Sequence, residues 1–145
     1  MKNYSGWCDL ESHLKNEQYF FETLPSTSKK LIVISSKINF HDALFLCRKI
    51  CGRMVLPNSQ EESDELSSVA KRYIKKFWIR FSDADKEGDW RDFDNNAAVN
   101  FSNWESSQPN EGTSGNFAYM YLTGELYDVN WNNSYNVVCE LPYES

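Results

Sequence analysis

The chain has 145 residues, a formal net charge of −6 and an aromatic share of 15%. This length predicts one domain with a single substantial core, and aromatic side chains suit a fold with little regular structure because each ring buries much area. The negative charge disfavours a nucleic-acid partner, since phosphate backbones are bound by clustered Lys and Arg. No apolar run approaches the roughly 20 residues that span a bilayer, so we expect no membrane insertion.

The N-terminal part of the chain predicts one short strand and one amphipathic helix. Residues 1–30 are expected to form an irregular arm, and residues 31–34 are a short β run. Asn39 is a suitable N-terminal cap for the helix, and Gly52 is a suitable stop. The apolar residues of this helix recur at the 3.6-residue period: Phe40, Ala43, Leu44, Cys47, Ile50 and Cys51.

A second helix is predicted to begin after Ser59. Glu62 follows three residues later and completes a capping box, in which each side chain accepts a hydrogen bond from the other residue's backbone N–H. The apolar stripe of this helix comprises Leu66, Val69, Ala70 and Tyr73.

A basic cluster follows that stripe. We interpret it as the solvated end of the second helix, where cations are favoured, rather than as a nucleic-acid site. Its members are Lys71, Arg72, Lys75 and Lys76.

The rest of the chain predicts strands around one long loop. Residues 77–81 are a buried strand, residues 82–116 are polar and loop-like, and residues 117–122 and 136–139 are closing strands. Two helices followed by strands and a long loop predict an α+β fold.

Within the long loop, residues 104–117 form a polar segment closed at each end by an aromatic residue. Amide and carboxylate oxygens are the groups that hard cations and sugar hydroxyls both favour. This segment presents them at Gln108, Asn110, Glu111 and Asn116. We therefore expect it to be the working surface of the protein.

The four cysteines, at positions 8, 47, 51 and 139, indicate two disulfides. A zinc site is the alternative, but the chain lacks paired short ligand spacings, and only His13 and His41 supplement the thiols. Disulfides favour an oxidising compartment, so we expect a secreted protein or an extracellular ectodomain.

Several segments in order and spacing resemble the C-type lectin-like domain over residues 19–142. The first helix matches the family's aromatic–Ala–Cys pattern, residues 78–81 resemble its WIGL strand with Arg80 in place of Gly, and the Gln108–Asn110 triplet falls where the family has its EPN or QPD triplet. The closing Cys-Glu matches Cys139 and Glu140. The resemblance implies two helices flanking small antiparallel sheets with a long loop region, with residues 1–18 as an N-terminal arm and residues 19–145 as the domain.

The resemblance also implies a Cys47–Cys139 disulfide. Cys8 and Cys51 are then left over; they pair with each other, or Cys8 forms a bridge to another molecule. The positions of the family's second disulfide fall on Phe117 and Trp131, where an aromatic contact would replace the covalent brace.

Calcium is the cofactor that the resemblance implies, at two neighbouring positions. At the sugar-bearing position, Gln108, Asn110 and Asp128 match ligands, whereas Gly115 and Tyr127 replace ligands, so any calcium there is expected to bind weakly. At the second position the matched ligands are Asp83, Glu87, Glu111 and Asn116.

The function expected from the resemblance is recognition of glycans or glycoproteins through the long loop, with Trp104 or Tyr127 stacking on a sugar. The alternative is a domain of the same fold that binds a protein or ice without the calcium–sugar chemistry, and a protein partner or a dimer stays open. Catalysis is not expected, since the sequence carries no phosphate-binding loop, nucleophile elbow or His-Glu metal motif.

Overall fold

A computed structural model describes residues 9–142, and within this range the chain forms three α-helices and eight β-strands. The helices are α1 (Leu10–Leu14), α2 (Phe40–Lys49) and α3 (Gln60–Tyr73). The strands are β1 (Tyr19–Thr23), β2 (Lys30–Ile38), β3 (Arg53–Met54), β4 (Lys76–Ser82), β5 (Arg91–Asp92), β6 (Phe117–Tyr121), β7 (Leu126–Val129) and β8 (Tyr135–Glu140). No helix in this part of the chain has both the length and the apolarity to cross a bilayer.

The strands join into one sheet in the order β1-β2-β8-β4-β6-β7, with β3 beside β8 and β5 beside β4. All neighbours pair antiparallel except β4 and β8, which pair parallel through Phe77 and Asn136. This parallel contact links the two antiparallel halves. The predicted α+β class is confirmed.

Alternating residues of the strands build a hydrophobic cluster on each side of the sheet. In β2, Leu31 and Val33 belong to the cluster that includes Leu66 of α3, whereas Ile32 and Ile34 belong to the cluster that includes Phe40 of α2. The two predicted helices therefore cover different faces of the sheet.

The prediction of an irregular arm over residues 1–30 is wrong within the described range. Asp9 caps α1 through its Oδ1, which accepts from the backbone N–H of Glu11 at 3.1 Å, and Leu14 is fully buried. Strand β1 pairs along its whole length with β2. The two strands are consecutive and form a hairpin around residues 24–29, in which the Leu24 N–H donates to the Lys29 carbonyl at 2.9 Å. Strand β1 has only five residues, so its own sequence does not identify it. The division of the chain at residue 18 stays a prediction.

The caps of the two long helices agree with the sequence in part. Asn39 caps α2, since its Oδ1 accepts from the Asp42 N–H at 2.9 Å. Gly52 is needed for a different reason than predicted: Cys51 adopts the positive φ of 61°, and a Cβ on Gly52 would lie 2.6 Å from the Glu140 carbonyl oxygen.

At α3 only half of the predicted capping box forms. The Ser59 hydroxyl accepts from the Glu62 N–H at 3.1 Å, but the Glu62 carboxylate accepts from the Asn58 N–H at 2.8 Å. The same carboxylate lies 3.0 Å from Lys29 Nζ, and this ion pair directs it away from the box.

The Cys47–Cys139 disulfide joins α2 to β8, with a Cα–Cα distance of 5.5 Å and a sequence separation of 92. Both residues are fully buried. In the chain-entropy model, a loop of this length gives a stabilisation of about 4–5 kcal/mol. Cys8 lies outside the described residues, so its pairing with Cys51 stays a prediction.

Arg80, the residue that departs from the family's Gly, is a buried charge with a fitted set of partners. Its side chain is 2% exposed. Nε and Nη2 donate to the two carboxylate oxygens of Asp92 at 2.9 and 3.2 Å, and Nη1 donates to the Met54 carbonyl. A bidentate pair of this kind fixes the geometry of both side chains.

Glu140 connects this pair to the rest of the molecule. Its carboxylate accepts from Arg53 Nε at 3.0 Å, from the Leu56 N–H at 3.0 Å and from Lys29 Nζ at 3.4 Å. Its Oε1 lies 3.8 Å from Arg80 Nη1. The last strand is therefore held by charge as well as by the neighbouring disulfide.

We expect Arg80→Met to lower the free energy of unfolding by about 3–5 kcal/mol, because it leaves Asp92 buried without its partner. Urea denaturation measures the change. Arg91→Met is the matched control; Arg91 pairs with Asp89 at the surface, so its loss should cost less than about 1 kcal/mol. Equal effects of the two substitutions would contradict the structural role of Arg80.

Candidate functional site

Strand β7 holds both ends of the polar loop. At the start of the loop, Trp104 forms a parallel bridge with Leu126, and the Glu105 N–H donates to the Leu126 carbonyl at 3.1 Å. At the end of the loop, Phe117 pairs with Val129. The sequence pattern does not predict β7, although its four residues pair with both ends of the loop.

Asp128 of β7 anchors the middle of the loop. Its carboxylate is buried, and its two oxygens accept from the backbone N–H groups of Asn110 at 3.0 Å and Glu111 at 2.8 Å. Its own N–H donates to Gln108 Oε1 at 3.2 Å. The Gln108–Pro109 peptide bond is cis. The backbone of the triplet is thus fixed from inside by hydrogen bonds within the chain.

The two positions at which the resemblance expects lost ligands have different surroundings. Gly115 is buried so tightly that a Cβ there would lie 2.3 Å from the Glu111 Cβ and 2.9 Å from Asp128 Oδ2. The Tyr127 ring stacks on Tyr119 with 5.1 Å between centroids, on the face of β7 opposite to Asp128. Neither residue adds an oxygen beside Asp128.

Several predicted site residues present oxygens that the chain does not use. Within residues 9–142, the side-chain oxygens of Asn110, Glu111 and Asn116 accept no hydrogen bond. Asn110 and Glu111 are exposed, and Asn116 is half-buried. The loop therefore has a fixed backbone and outward-facing polar side chains.

Asp83 and Glu87 form a carboxylate pair beside the loop. Asp83 is 2% exposed; its Oδ2 accepts from the Gly88 N–H at 2.9 Å, but its Oδ1 is buried without a hydrogen-bond partner among the described residues. Desolvation raises the pKa of Glu87, and the charges of Asp83 and Asp128 raise it further. A cation between these groups would satisfy the orphaned oxygen and oppose the pKa shift.

The rest of the predicted calcium set is connected to this pair only through backbone groups and through Asp128. The Asn116 carbonyl accepts from the Asp83 N–H at 3.2 Å. The Asp128 carboxylate accepts from the Glu111 N–H, and its charge also raises the pKa of Glu87. Across residues 9–142, however, no group of three or more His, Cys, Asp or Glu side chains is arranged to hold a metal ion. The ligand roles of these residues, and those of Gln108, Asn110 and Asp128, stay predictions.

The predicted aromatic brace has an indirect form. Phe117 and Trp131 each contact His41, with centroid distances of 5.6 and 5.2 Å. The Trp131 carbonyl also accepts from the Phe40 N–H at 3.0 Å. His41 lies on the first turn of α2, where sequence periodicity gives no indication of this contact.

The aromatic rings expected to stack on a sugar are already partly covered by other rings of the chain. Trp104 contacts Trp90 and Phe81, with centroid distances of 4.8 and 5.9 Å, and forms part of the edge of the core. Tyr127 has one face covered by Tyr119, so at most its other face is free. Burial raises the pKa of the Tyr119 hydroxyl to about 12.

The fold and the loop can now be compared with known proteins. The family model described as the lectin C-type domain matches residues 36–141. The chain belongs to this family.

Curated relatives agree with this membership. The chain is 28% identical over 104 residues to a perlucin-like protein of Mytilus galloprovincialis, covering 70% of the chain and 63% of the relative. It is 32% identical over 107 residues to the C-type lectin domain family 3 member A of Bos taurus, covering 70% of the chain and 54% of the relative. The chain thus spans a little over half the length of these relatives.

Solved structures share the fold. The mouse scavenger receptor C-type lectin carbohydrate-recognition domain superposes with a TM-score of 0.77 at 24% identity, covering 86% of this chain and 95% of that domain. The carbohydrate-recognition domain of cow CD23, solved with a GlcNAc2Man3 oligosaccharide, has a TM-score of 0.72 at 25% identity and coverages of 88% and 95%. A calcium-independent type II antifreeze protein has a TM-score of 0.70 at 16% identity and coverages of 83% and 88%.

We expect Asp128→Ala to release the loop, because the N–H groups of Asn110 and Glu111 lose their acceptor. Hydrogen exchange at these two amides should accelerate, and the free energy of unfolding should fall by about 1–3 kcal/mol. Glu105→Ala is the control, since its carboxylate accepts from the Ser107 N–H and hydroxyl only within its own turn. Unchanged exchange at residues 110 and 111 would show that Asp128 does not hold the loop.

Gly115→Asp, which supplies the acidic residue that the resemblance expects, should destabilise the protein rather than improve calcium binding. The reason is the lack of space for a Cβ beside Glu111. Gly115→Ala tests crowding without the charge and should be destabilising as well. Urea denaturation and calorimetric calcium titration of both variants measure the outcome; a stable Asp variant with tighter calcium binding would refute this expectation.

Proposed function

We propose that this chain is a carbohydrate-recognition module of a secreted or cell-surface protein, and that the loop of residues 104–117 binds the glycan. The observation that carries the proposal is the anchoring of Asn110 and Glu111, whose N–H groups bind the buried Asp128 carboxylate while their side chains face solvent. A sugar hydroxyl both donates and accepts hydrogen bonds, so fixed amide and carboxylate groups at a surface are suited to it.

Pre-organisation is the physical advantage of this arrangement. A mobile loop would lose conformational entropy when it closed on a ligand, and that loss would reduce affinity. Here the hydrogen bonds of Asp128 and Gln108 order the backbone before any ligand arrives. The cow CD23 domain, of the same fold, was solved with an oligosaccharide, which supports a glycan as the ligand class.

Calcium is proposed only for the position beside Asp83. The sugar-bearing position does not fit the ion as arranged, because both oxygens of Asp128 accept backbone N–H groups and Gly115 supplies no ligand. The pair of Asp83 and Glu87 suits a cation better, because the buried Asp83 Oδ1 has no hydrogen-bond partner among residues 9–142. The side chains of Glu111 and Asn116 would have to turn toward this pair to complete the ligand set. A calcium ion there would supply positive charge that neutralises the acidic pair and stabilises the adjacent loop.

The extracellular location is proposed from the disulfide. The Cys47–Cys139 disulfide is buried in the core, and such bonds persist in oxidising compartments. The role is one of binding rather than catalysis, since the loop groups are hydrogen-bonding groups without an activated nucleophile.

Asn110→Ala should weaken glycan binding about fivefold or more, the loss expected when one hydrogen bond to the ligand is removed. A glycan array identifies the ligand for the wild-type chain, and calorimetry with that ligand measures the change. Asn16→Ala, which alters an exposed Asn outside the loop, is the matched control and should bind like wild type.

Chelation separates the role of calcium from that of the loop. A chelator should weaken glycan binding without abolishing it, and Glu87→Gln should reproduce that loss. Complete loss on chelation would instead favour direct coordination of the sugar by calcium. No binding to any glycan, with or without calcium, would overturn the proposed function.

A second candidate is a protein- or ice-binding role without calcium–sugar chemistry. It is favoured by the internal use of the oxygens of Asp128 and Gln108, which are then unavailable to a calcium-bound sugar. The calcium-independent antifreeze protein shares the fold alone. Inhibition of ice recrystallisation, or sedimentation showing a dimer that buries the loop, would support this candidate over glycan binding.

A further inference from the structure

A basic groove lies at the start of β4, at the opposite end of that strand from Asp83 and Glu87. It has a volume of about 500 Å³ and lies where the end of β2, the end of α3 and the starts of β4 and β8 meet. The residues that matter here are three lysines, two serines and one tyrosine: Lys37, Lys75, Lys76, Ser35, Ser134 and Tyr135. We refer to it as the lysine groove.

Only part of the basic cluster seen in the sequence is a helix end. Lys71 and Arg72 lie in the last turn of α3, and Arg72 donates to the Glu22 carboxylate at 2.9 Å. Lys75 and Lys76 come after the helix and line the groove with Lys37. The interpretation of the cluster as a solvated helix end is therefore wrong for Lys75 and Lys76.

The charges of the lysine groove are uncompensated. No Asp or Glu is among its lining residues, and none of its three lysines forms an ion pair within residues 9–142. Two acidic groups contact residues next to the lysines and have other partners: Glu22 accepts from the Tyr73 hydroxyl at 2.6 Å and from Arg72, and Glu17 accepts from the Ser36 hydroxyl. Such a concentration of positive charge is unusual in a chain with a net charge of −6.

The walls of the groove are held in place by specific contacts. Asn136 is buried and its Nδ2 donates to the Ser35 carbonyl at 2.8 Å, which holds the bulge of β2 that carries Lys37. Lys76 Nζ lies over the Tyr119 and Tyr135 rings, 5.2 and 5.7 Å from their centroids. A cation over aromatic faces loses part of its freedom before any ligand binds.

We propose that the lysine groove binds a sulfated or carboxylated saccharide. The ammonium groups would pair with its anionic groups, and the Ser134 hydroxyl would hydrogen-bond its ring oxygens and hydroxyls. The Ser35 hydroxyl donates to the Gln18 carbonyl at 3.0 Å, so it would accept from a sugar hydroxyl. Lysine recognises an anion as a point charge and requires no fixed orientation, which suits the irregular sulfation of a polysaccharide.

Other polyanions fit less well. Nucleic-acid sites rely on broad Lys and Arg surfaces, whereas this groove has no Arg in its lining and belongs to an acidic chain. A lipid surface would require exposed apolar side chains, and the aliphatic residue of the groove, Ile74, is only 9% exposed. The groove and the loop are separate sites that share no residue. Asp128, which anchors the loop, is in register with Ala118 and Ile79, so it lies two strands and three residues from Lys76, about 10 Å in each direction.

The test is calorimetric titration with a heparin-derived hexasaccharide at several salt concentrations. Wild-type chain should bind it, and Lys37→Gln/Lys75→Gln should reduce the affinity at least tenfold and lower the salt slope by about two, because two ionic contacts are lost. Lys15→Gln/Lys86→Gln removes the same charge from exposed positions outside the groove and should bind like wild type.

Three outcomes would overturn the proposal. Absence of hexasaccharide binding would show that the groove is not a saccharide site. Equal losses in the two double variants would indicate an effect of net charge. Equally tight binding of a DNA duplex or of inorganic sulfate would identify a different ligand class. Asn110→Ala and a chelator should leave hexasaccharide binding unchanged, so this result is independent of glycan binding at the loop. Thermal unfolding of each variant checks that the fold is intact.

Discussion

The Glu140 carboxylate joins several buried charged groups of this domain into one network. It contacts Lys29, Arg53 and the Leu56 N–H, and it lies next to Arg80. These partners come from three separate parts of the chain, around residues 29, 53–56 and 80. A buried charge is stable only when its partners are in place, so the network favours a single arrangement of β3, β4 and β8. Both candidate binding surfaces depend on β4: the acidic pair follows its last residue, and the lysine groove begins at its first.

The loop depends on a second buried carboxylate. Asp128 replaces the fixing effect of a metal ion with two backbone hydrogen bonds, and the tight packing at Gly115 leaves no room for a further ligand. The glycan recognition proposed for this loop would rely on hydrogen bonds at a fixed surface rather than on direct coordination by calcium. The Asp83 carboxylate differs from Asp128 in this respect, because its buried Oδ1 has no hydrogen-bond partner within the described residues.

The parts of this structure that local physics determines were predictable, and those that depend on distant partners were not. The helices α2 and α3 follow from their apolar period and from the caps at Asn39 and Ser59. Strand β7 has only four residues, and its pairing with β6 and the loop identifies it better than its composition does. The family resemblance predicted Asp128 as a calcium ligand, but not that its carboxylate accepts from backbone N–H groups 17 and 18 residues away. Lys37 and Lys75 show the same limit, since only the fold brings them together.

The contact of Phe117 and Trp131 through His41 has a consequence for the environments in which the loop keeps its shape. The second disulfide of the C-type lectin-like family falls at these two positions, and a reductant would open such a bond. Here the brace consists of ring contacts and one backbone hydrogen bond, which thiols do not attack. The disulfide that joins α2 to β8 is fully buried, so a reductant reaches it only when the core opens. The shape of the loop is therefore independent of the redox state of its surroundings for as long as the domain stays folded.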